Sequence, residues 1–357
     1  MDFDISEEQQ LLLETVRQWI DNECPLTRVR ELFDGETGHD AQLWKSLVEM
    51  GLGGTVIPEQ HGGAGLELLD LALVGEALGG GAVPGPILGH SLAGLAVLLA
   101  GSDAQKEAWL PRLASGEVLG TVAFAEENGW QPEDWTLAAD ATVSGTKNHV
   151  LFASLADLIV VGTAGGGLAL VERAHGVKAE PVDGADRTRR LERLRFEGAP
   201  CEVLPGGAGA SGRVRDAGLV LLSADAYGGA ARLLEMTVDY AKTREQFGVP
   251  IGQFQGIKHT LANVAIRVDP ARFLCWYAAH AWDHVPAESE RTAALTKAHA
   301  TSVFVQAARD AVELHGGYGF TWECDVQIFF KRAMFDRAFL GAPSVHRERA
   351  TALADWS

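Results

Sequence analysis

The sequence predicts a mainly α protein with a β lobe in its middle, on three observations. Apolar residues recur at helical spacing from residue 4 to about 113. From 119 the period shortens to runs rich in β-branched residues, separated by Gly, Asp and Asn. From 214 onward helical spacing returns, so the chain divides into 1–118, 119–213 and 214–357. Helices, then strands, then helices exclude a doubly wound sheet, in which the two would alternate.

In the first segment Ile5, Leu12, Val16 and Ile20 make one apolar face, and Ser6 with Gln9 fits a capping box. Leu43, Leu47 and Met50 make another face. Residues 51–66, GLGGTVIPEQHGGAGL, carry six glycines and a proline but neither a P-loop lysine nor a preceding strand. They read as a connector, followed by an apolar helix over 68–78. Strands are expected over 121–127, within 141–164, over 168–173 and around 191–203, with glycines 165–167 as a hairpin connection. Helices are expected over 219–244, from 254 past 275, over 287–314 and over 325–338, with a kink or break at Pro270. The glycine-rich patches 79–82 and 206–212 read as surface loops.

The chain has 357 residues, 47% of them hydrophobic, enough for substantial cores in two or three lobes. A net charge of −18 argues against a nucleic-acid partner, which needs basic patches to release counterions. The opening residues show neither a basic n-region nor an apolar core segment, and no run of about 18 apolar residues occurs, so the expectation is cytoplasmic with no membrane partner. Cys24, Cys201, Cys275 and Cys324 are scattered without ligand-like spacing, so they read as reduced and structural, with no metal site.

The stretch 228–259 organises the rest. Leu233, Met236 and Tyr240 continue a buried helical face, and Pro250 forces a turn just after Arg244. A guanidinium at a helix end can grip a phosphate or carboxylate bidentately, or it can satisfy the helix's own last carbonyls.

RxxFG at 244–248, PIxxFQxxxH at 250–259, LHGGYGFTWE at 314–323 and the opening helix together resemble the acyl-CoA dehydrogenase family over nearly the whole chain. The resemblance implies an N-terminal helical domain, a middle β-barrel-like domain and a C-terminal four-helix bundle. It also implies FAD as cofactor, an acyl-CoA substrate losing two hydrogens across its Cα–Cβ bond, a carboxylate base for the α-proton, and an electron-transfer partner. In such proteins a neighbouring subunit grips the adenine-diphosphate end of FAD. By resemblance the cofactor-binding residues here are Arg244, Gln246, Phe247, Gln255, Glu313, His315, Gly316 and Gly317. Glu313 departs from the family, standing where a glutamine is usual.

Other departures are larger. The family's TEPxAGSD-like segment is echoed only by Glu126 and Gly129, and its flavin-facing aromatic and hydroxyl are His149 and Leu151 here. Of the two positions where the family places its glutamate, one is Leu340 and the other Gly218. Asp225, seven residues after Gly218 and on nearly the same helical face, is the candidate for a shifted base with a raised pKa, unless it pairs within a helical interface. Glu126, Glu127 and Glu323 are weaker candidates. Residues 341–347 with the 314–323 run are similar to the short subunits of heteromeric (α2β2) acyl-CoA dehydrogenases of actinobacterial steroid side-chain degradation. There a homologous partner chain completes the flavin site and brings the glutamate. The alternatives are an independent homo-oligomeric enzyme using Asp225, and a non-catalytic structural subunit.

Overall fold

The computed structural model describes residues 4–127, 129–173 and 175–355. Six helices come first: α1 (Glu7–Glu23), α2 (Leu26–Asp34), α3 (Ala41–Glu49), α4 (Leu68–Gly80), α5 (Ile87–Ala100) and α6 (Asp103–Ala114). The Ser6 hydroxyl caps α1 by accepting from Gln9 N–H, and the Gln9 side chain answers on Ser6 N–H, as the capping box requires. The 51–66 connector forms two short 3-10 turns. Gly63 is obligatory in it, because a Cβ there would lie 2.1 Å from the Ile57 carbonyl oxygen.

The β lobe has two sheets. β1 (Gly120–Ala123), β3 (Leu158–Thr163), β4 (Gly167–Glu172) and β7 (Glu202–Leu204) make one, with β1 parallel to β3 and the other pairs antiparallel. β2 (Thr142–Leu151), β6 (Leu191–Pro200) and β5 (Val177–Val182) make the other, all antiparallel. β3 is buried at every position. Its alternate residues serve two cores: Leu158 and Val160 face the helices, while Ile159 and Val161 face the interior between the sheets. The β3–β4 hairpin turns at residues 164–166, one residue ahead of the 165–167 expected.

The bundle is built on α7 (Gly207–Thr243), 37 residues and roughly 55 Å long. Its Leu219 and Leu222 belong to the core shared with α5 and the β lobe, and its Tyr227 and Leu233 to the core shared with α1 and α9. One helix therefore ties both cores together. Glycines let α4 cross it closely: a Cβ on Gly228 would lie 1.9 Å from the Glu76 carbonyl oxygen, and one on Gly79 would lie 2.2 Å from that of Asp225. After a short hairpin, β8 (Glu245–Gln246) with β9 (Val249–Pro250), come α8 (Gln255–His284), α9 (Pro286–Leu314), α10 (Val326–Ala338) and α11 (Pro343–Ala352).

Three local expectations are corrected. Gly79 and Gly80, read within a surface loop over 79–82, are the end of α4, with Gly79 buried against α7. Residues 207–212 are the first turns of α7 rather than a surface loop, since glycine there permits close approach: a Cβ on Gly207 would sit 2.5 Å from the Leu168 nitrogen. And α8 is unbroken at Pro270. The hydrogen bond a proline removes there is the one to the Ile266 carbonyl, on a stretch where Ile266 is 71% exposed and water can replace it.

Candidate functional site

α7 ends at Thr243 with Arg244 as its cap, and the hairpin that follows turns at Phe247 (φ 57) and Gly248 (φ 80). Both central residues lie in the left-handed region that a tight hairpin turn demands, which glycine accepts and phenylalanine resists. The turn projects the Phe247 ring into solvent, 93% exposed, with Phe254 edge-on to it at 6.1 Å. Ile251 N–H donates to the Arg244 carbonyl at 2.8 Å, bringing Gln255, the first residue of α8, back beside the end of α7. Arg244 is exposed and its guanidinium has no hydrogen-bond or ion-pair partner among the described residues, so it does not cap α7 with its side chain.

The 313–320 segment joins this face through an aromatic stack that sequence reading did not anticipate. Tyr240, one turn before Arg244, stacks on His315 at 4.2 Å and on Tyr318 at 6.3 Å, and its hydroxyl donates to the His315 carbonyl at 3.3 Å. His315 is turned inward, its Nδ1 on the Ala311 carbonyl at 2.8 Å, so it supports the loop while Glu313, Gly316 and Gly317 remain exposed. A Cβ on Gly316 or Gly317 would meet nothing within 4 Å. The backbone there is open to an incoming group, the condition for amide donors to approach a phosphate. Gln246 is exposed as well, its amide donating to the Glu245 carbonyl. The structure thus brings a free guanidinium, a glutamine, a bare glycine pair and an exposed aromatic ring onto one end of the bundle.

The base positions give the opposite result. Leu340 (φ 58) and Gly218 meet: a Cβ on Gly218 would lie 2.6 Å from Leu340 Cδ1. The two places where an acid would be sought converge on one point, and a buried methyl fills it. His346 Nε2 donates to the Leu340 carbonyl at 3.0 Å, and Lys297 Nζ donates to the Asp336 carbonyl at 2.5 Å, fixing this turn from behind.

Asp225 faces elsewhere, two helical turns and about 10 Å along α7 from Gly218. Arg332 grips both its oxygens, Nε to Oδ2 at 2.8 Å and Nη2 to Oδ1 at 2.8 Å, and Arg189 Nη2 reaches Oδ1 at 3.0 Å. Burial alone would raise its pKa, but Arg332 and Arg189 outweigh burial and hold Asp225 at about 2. This corrects the expectation of a raised pKa: the carboxylate is an inter-element ion pair, with no proton affinity to spare for a base. Burial and the neighbouring Asp225 charge push the Asp336 carboxyl well above its ordinary value. Glu126 is also engaged, accepting from Lys147 Nζ at 2.5 Å and from Thr136 Oγ1 at 2.5 Å. Burial draws that Lys147 ammonium down to about 8 against the pull of Glu126. Glu127 and Glu323 lie at the surface.

On the β lobe, Leu151 is buried and its carbonyl accepts from Thr121 Oγ1 at 2.7 Å. His149 (φ 53) stacks on Trp130, with ring centroids 5.7 Å apart. Trp130 also meets Phe339 at 4.8 Å.

The models described as "Acyl-CoA dehydrogenase, N-terminal domain" and "Acyl-CoA dehydrogenase, C-terminal domain" match residues 6–117 and 217–352. A curated relative, acyl-CoA dehydrogenase IpdE2 of Mycobacterium tuberculosis, is 36% identical over 340 residues, covering 94% of each chain. The chain belongs to the acyl-CoA dehydrogenase family. Its members are FAD-dependent oxidoreductases, and its architecture of helical, β and helical domains is the one described above. Among solved structures of the family, the "Tcur3481-Tcur3483 steroid ACAD G363A variant" has a TM-score of 0.89 at 29% identity, covering 97% of each chain. The ChsE4-ChsE5 complex from Mycobacterium tuberculosis has a TM-score of 0.87 at 28% identity, covering 99% of this chain and 98% of that one.

Tested against FAD, the residues divide. The end carrying Arg244, Gln255, Gly316 and Gly317 suits a diphosphate, with a backbone open to close approach and an unpaired cation. The ring end is less complete, since Leu151 offers no side-chain donor where the resemblance places a hydroxyl.

Proposed function

We propose that this chain is one subunit of a hetero-oligomeric acyl-CoA dehydrogenase. It lends Arg244, Gln246, Phe247, Gln255, Glu313, Gly316 and Gly317 to the adenine-diphosphate end of an FAD seated in a homologous partner chain. His315 positions that loop from within. The partner brings the ring pocket and the catalytic glutamate, and bound FAD supplies the oxidant for α,β-dehydrogenation of an acyl-CoA. A steroid-derived acyl group is the favoured substrate class, by likeness to the steroid ACAD named above. A separate electron-transfer protein accepts the electrons, and the cytoplasm is the expected compartment; no helix among the described residues is long and apolar enough to cross a membrane.

The observation that carries this reading is the Leu340–Gly218 contact: hydrocarbon at both base positions, in a chain whose nucleotide-facing residues stand open. The independent-enzyme alternative loses its base to Arg332 and Arg189. A bidentate guanidinium–phosphate contact contributes about 1.5–3 kcal/mol, so Arg244→Ala in the assembled complex should weaken FAD binding by roughly tenfold to a hundredfold. FAD content after gel filtration measures it. Unchanged content would favour a purely structural subunit, and a lone chain that purifies yellow and oxidises acyl-CoAs would overturn the shared site.

A further inference from the structure

We propose that this chain's own flavin-ring slot is closed by an internal substitute, the indole of Trp130. The inference rests on the reading above, in which His149 stands where the family places the aromatic that stacks on its flavin. The strand bearing His149 is irregular: the β2–β6 register shifts between Lys147 and Val150, and His149 takes φ 53. This turns the imidazole out of the pleat. Burial and the nearby Arg193 lower its pKa, so the ring is neutral and presents a flat π face.

Trp130 lies on that face at 5.7 Å with an interplanar angle of 28°. It is brought there by Gly129 (φ 153), where a Cβ would meet Asp134 Oδ2 at 2.2 Å, so only glycine allows the approach. On the far side, Gln131 is anchored. Its N–H donates to Asp134 Oδ2 at 3.1 Å and its Oε1 accepts from the buried Arg215 at 3.2 Å. The indole's other neighbour is Phe339, edge-on at 4.8 Å, which in turn stacks on Phe335 at 4.9 Å. One planar heteroaromatic side chain therefore bridges the β lobe and the end of α10, next to Leu340. Trp130 is only half-buried, so part of the indole reaches solvent.

The ligand class the slot would take is a planar tricyclic heteroaromatic of the flavin type, and the indole occupies the His149 face on which it would stack. The chain can grip the tail of an FAD without competing for its ring.

The test uses the full-length chain expressed alone, titrated with FMN, which lacks the adenosine end and so does not probe Arg244. Flavin fluorescence quenching and the shape of the visible absorption band report binding. Wild type should give no saturable binding. Trp130→Ala should bind one FMN per chain saturably, tighter than any residual wild-type binding by up to about tenfold, the upper end for one aromatic stack. Adding His149→Ala to that variant should abolish the gain. Trp130→Leu, which keeps the apolar contact with Phe339, serves if the alanine variant fails to fold by circular dichroism. Stoichiometric FMN binding by wild type overturns the proposal, and so does absence of binding in a folded Trp130 variant. Neither result touches the Arg244 experiment, so the two readings fail separately.

Discussion

Replacing Arg332 with methionine removes the cation at the centre of a deeply buried charge cluster. The guanidinium is fully buried and donates to both Asp225 oxygens at 2.8 Å, to Thr188 Oγ1 at 2.5 Å and to the Val83 carbonyl at 3.3 Å. Removing one member of a buried pair leaves the other as an uncompensated charge, at about 3–5 kcal/mol. Arg189 still holds Asp225 Oδ1 at 3.0 Å, which places the expected loss near the lower end. Urea unfolding at pH 7, followed by far-UV circular dichroism, should therefore show about 3 kcal/mol less stability, with part of it restored by adding Asp225→Asn. The pH dependence gives an independent reading. Asp225 titrates at about 2 folded against an ordinary 3.8, so its contribution, about 2 kcal/mol, is full above pH 3.8 and gone below about 2. Asp225→Asn should remove that acid-side slope while turnover of the assembled complex is unchanged. A loss below about 1 kcal/mol for Arg332→Met, the scale of an exposed pair, would refute the argument. An Asp225→Asn complex that keeps its FAD but loses turnover would return Asp225 to the role of base.

Gly228→Ala should destabilise the chain by about 1–3 kcal/mol or more, seen as a lowered melting temperature, since its Cβ would press on the Glu76 carbonyl oxygen and force α4 from α7. Gly317→Val, with open space around the new side chain, should leave stability within about 0.5 kcal/mol of wild type. It should nevertheless lower the FAD content of the complex, and full retention would remove the glycine loop from the cofactor site. Tyr240→Ala should cost the loop its stacking partner, about 0.5–1.5 kcal/mol beyond the lost burial, and reduce FAD content, whereas Tyr240→Phe should retain most of both.

What was legible in the sequence was whatever local periodicity or a short motif encodes. The Ser6–Gln9 cap, the apolar faces of the first helices, the β3–β4 hairpin and the tail of α7 are all set by neighbours within a few residues. The run 158–163 reads as a strand because every residue is apolar or small, although its service to two separate cores required the fold. The start of α7 was hidden because glycines at 207, 209 and 212 look like a loop when the β4 backbone that requires Gly207 is out of view. The site followed the same division. Arg244 and the glycine pair come from contiguous motifs. The partners of Asp225 lie 36 and 107 residues away, and nothing local distinguishes a buried ion pair from a poised base. The approach of Trp130 to His149 depends on a bulge and a positive φ that no spacing rule encodes.

The hairpin at Phe247 has a consequence for the life of the chain outside its complex. A benzyl group held almost wholly in water by a strained turn is an apolar contact point that folding by itself does not conceal. A partner that covers that ring would remove it from water, so the chain should be less prone to self-association inside its complex than when purified alone.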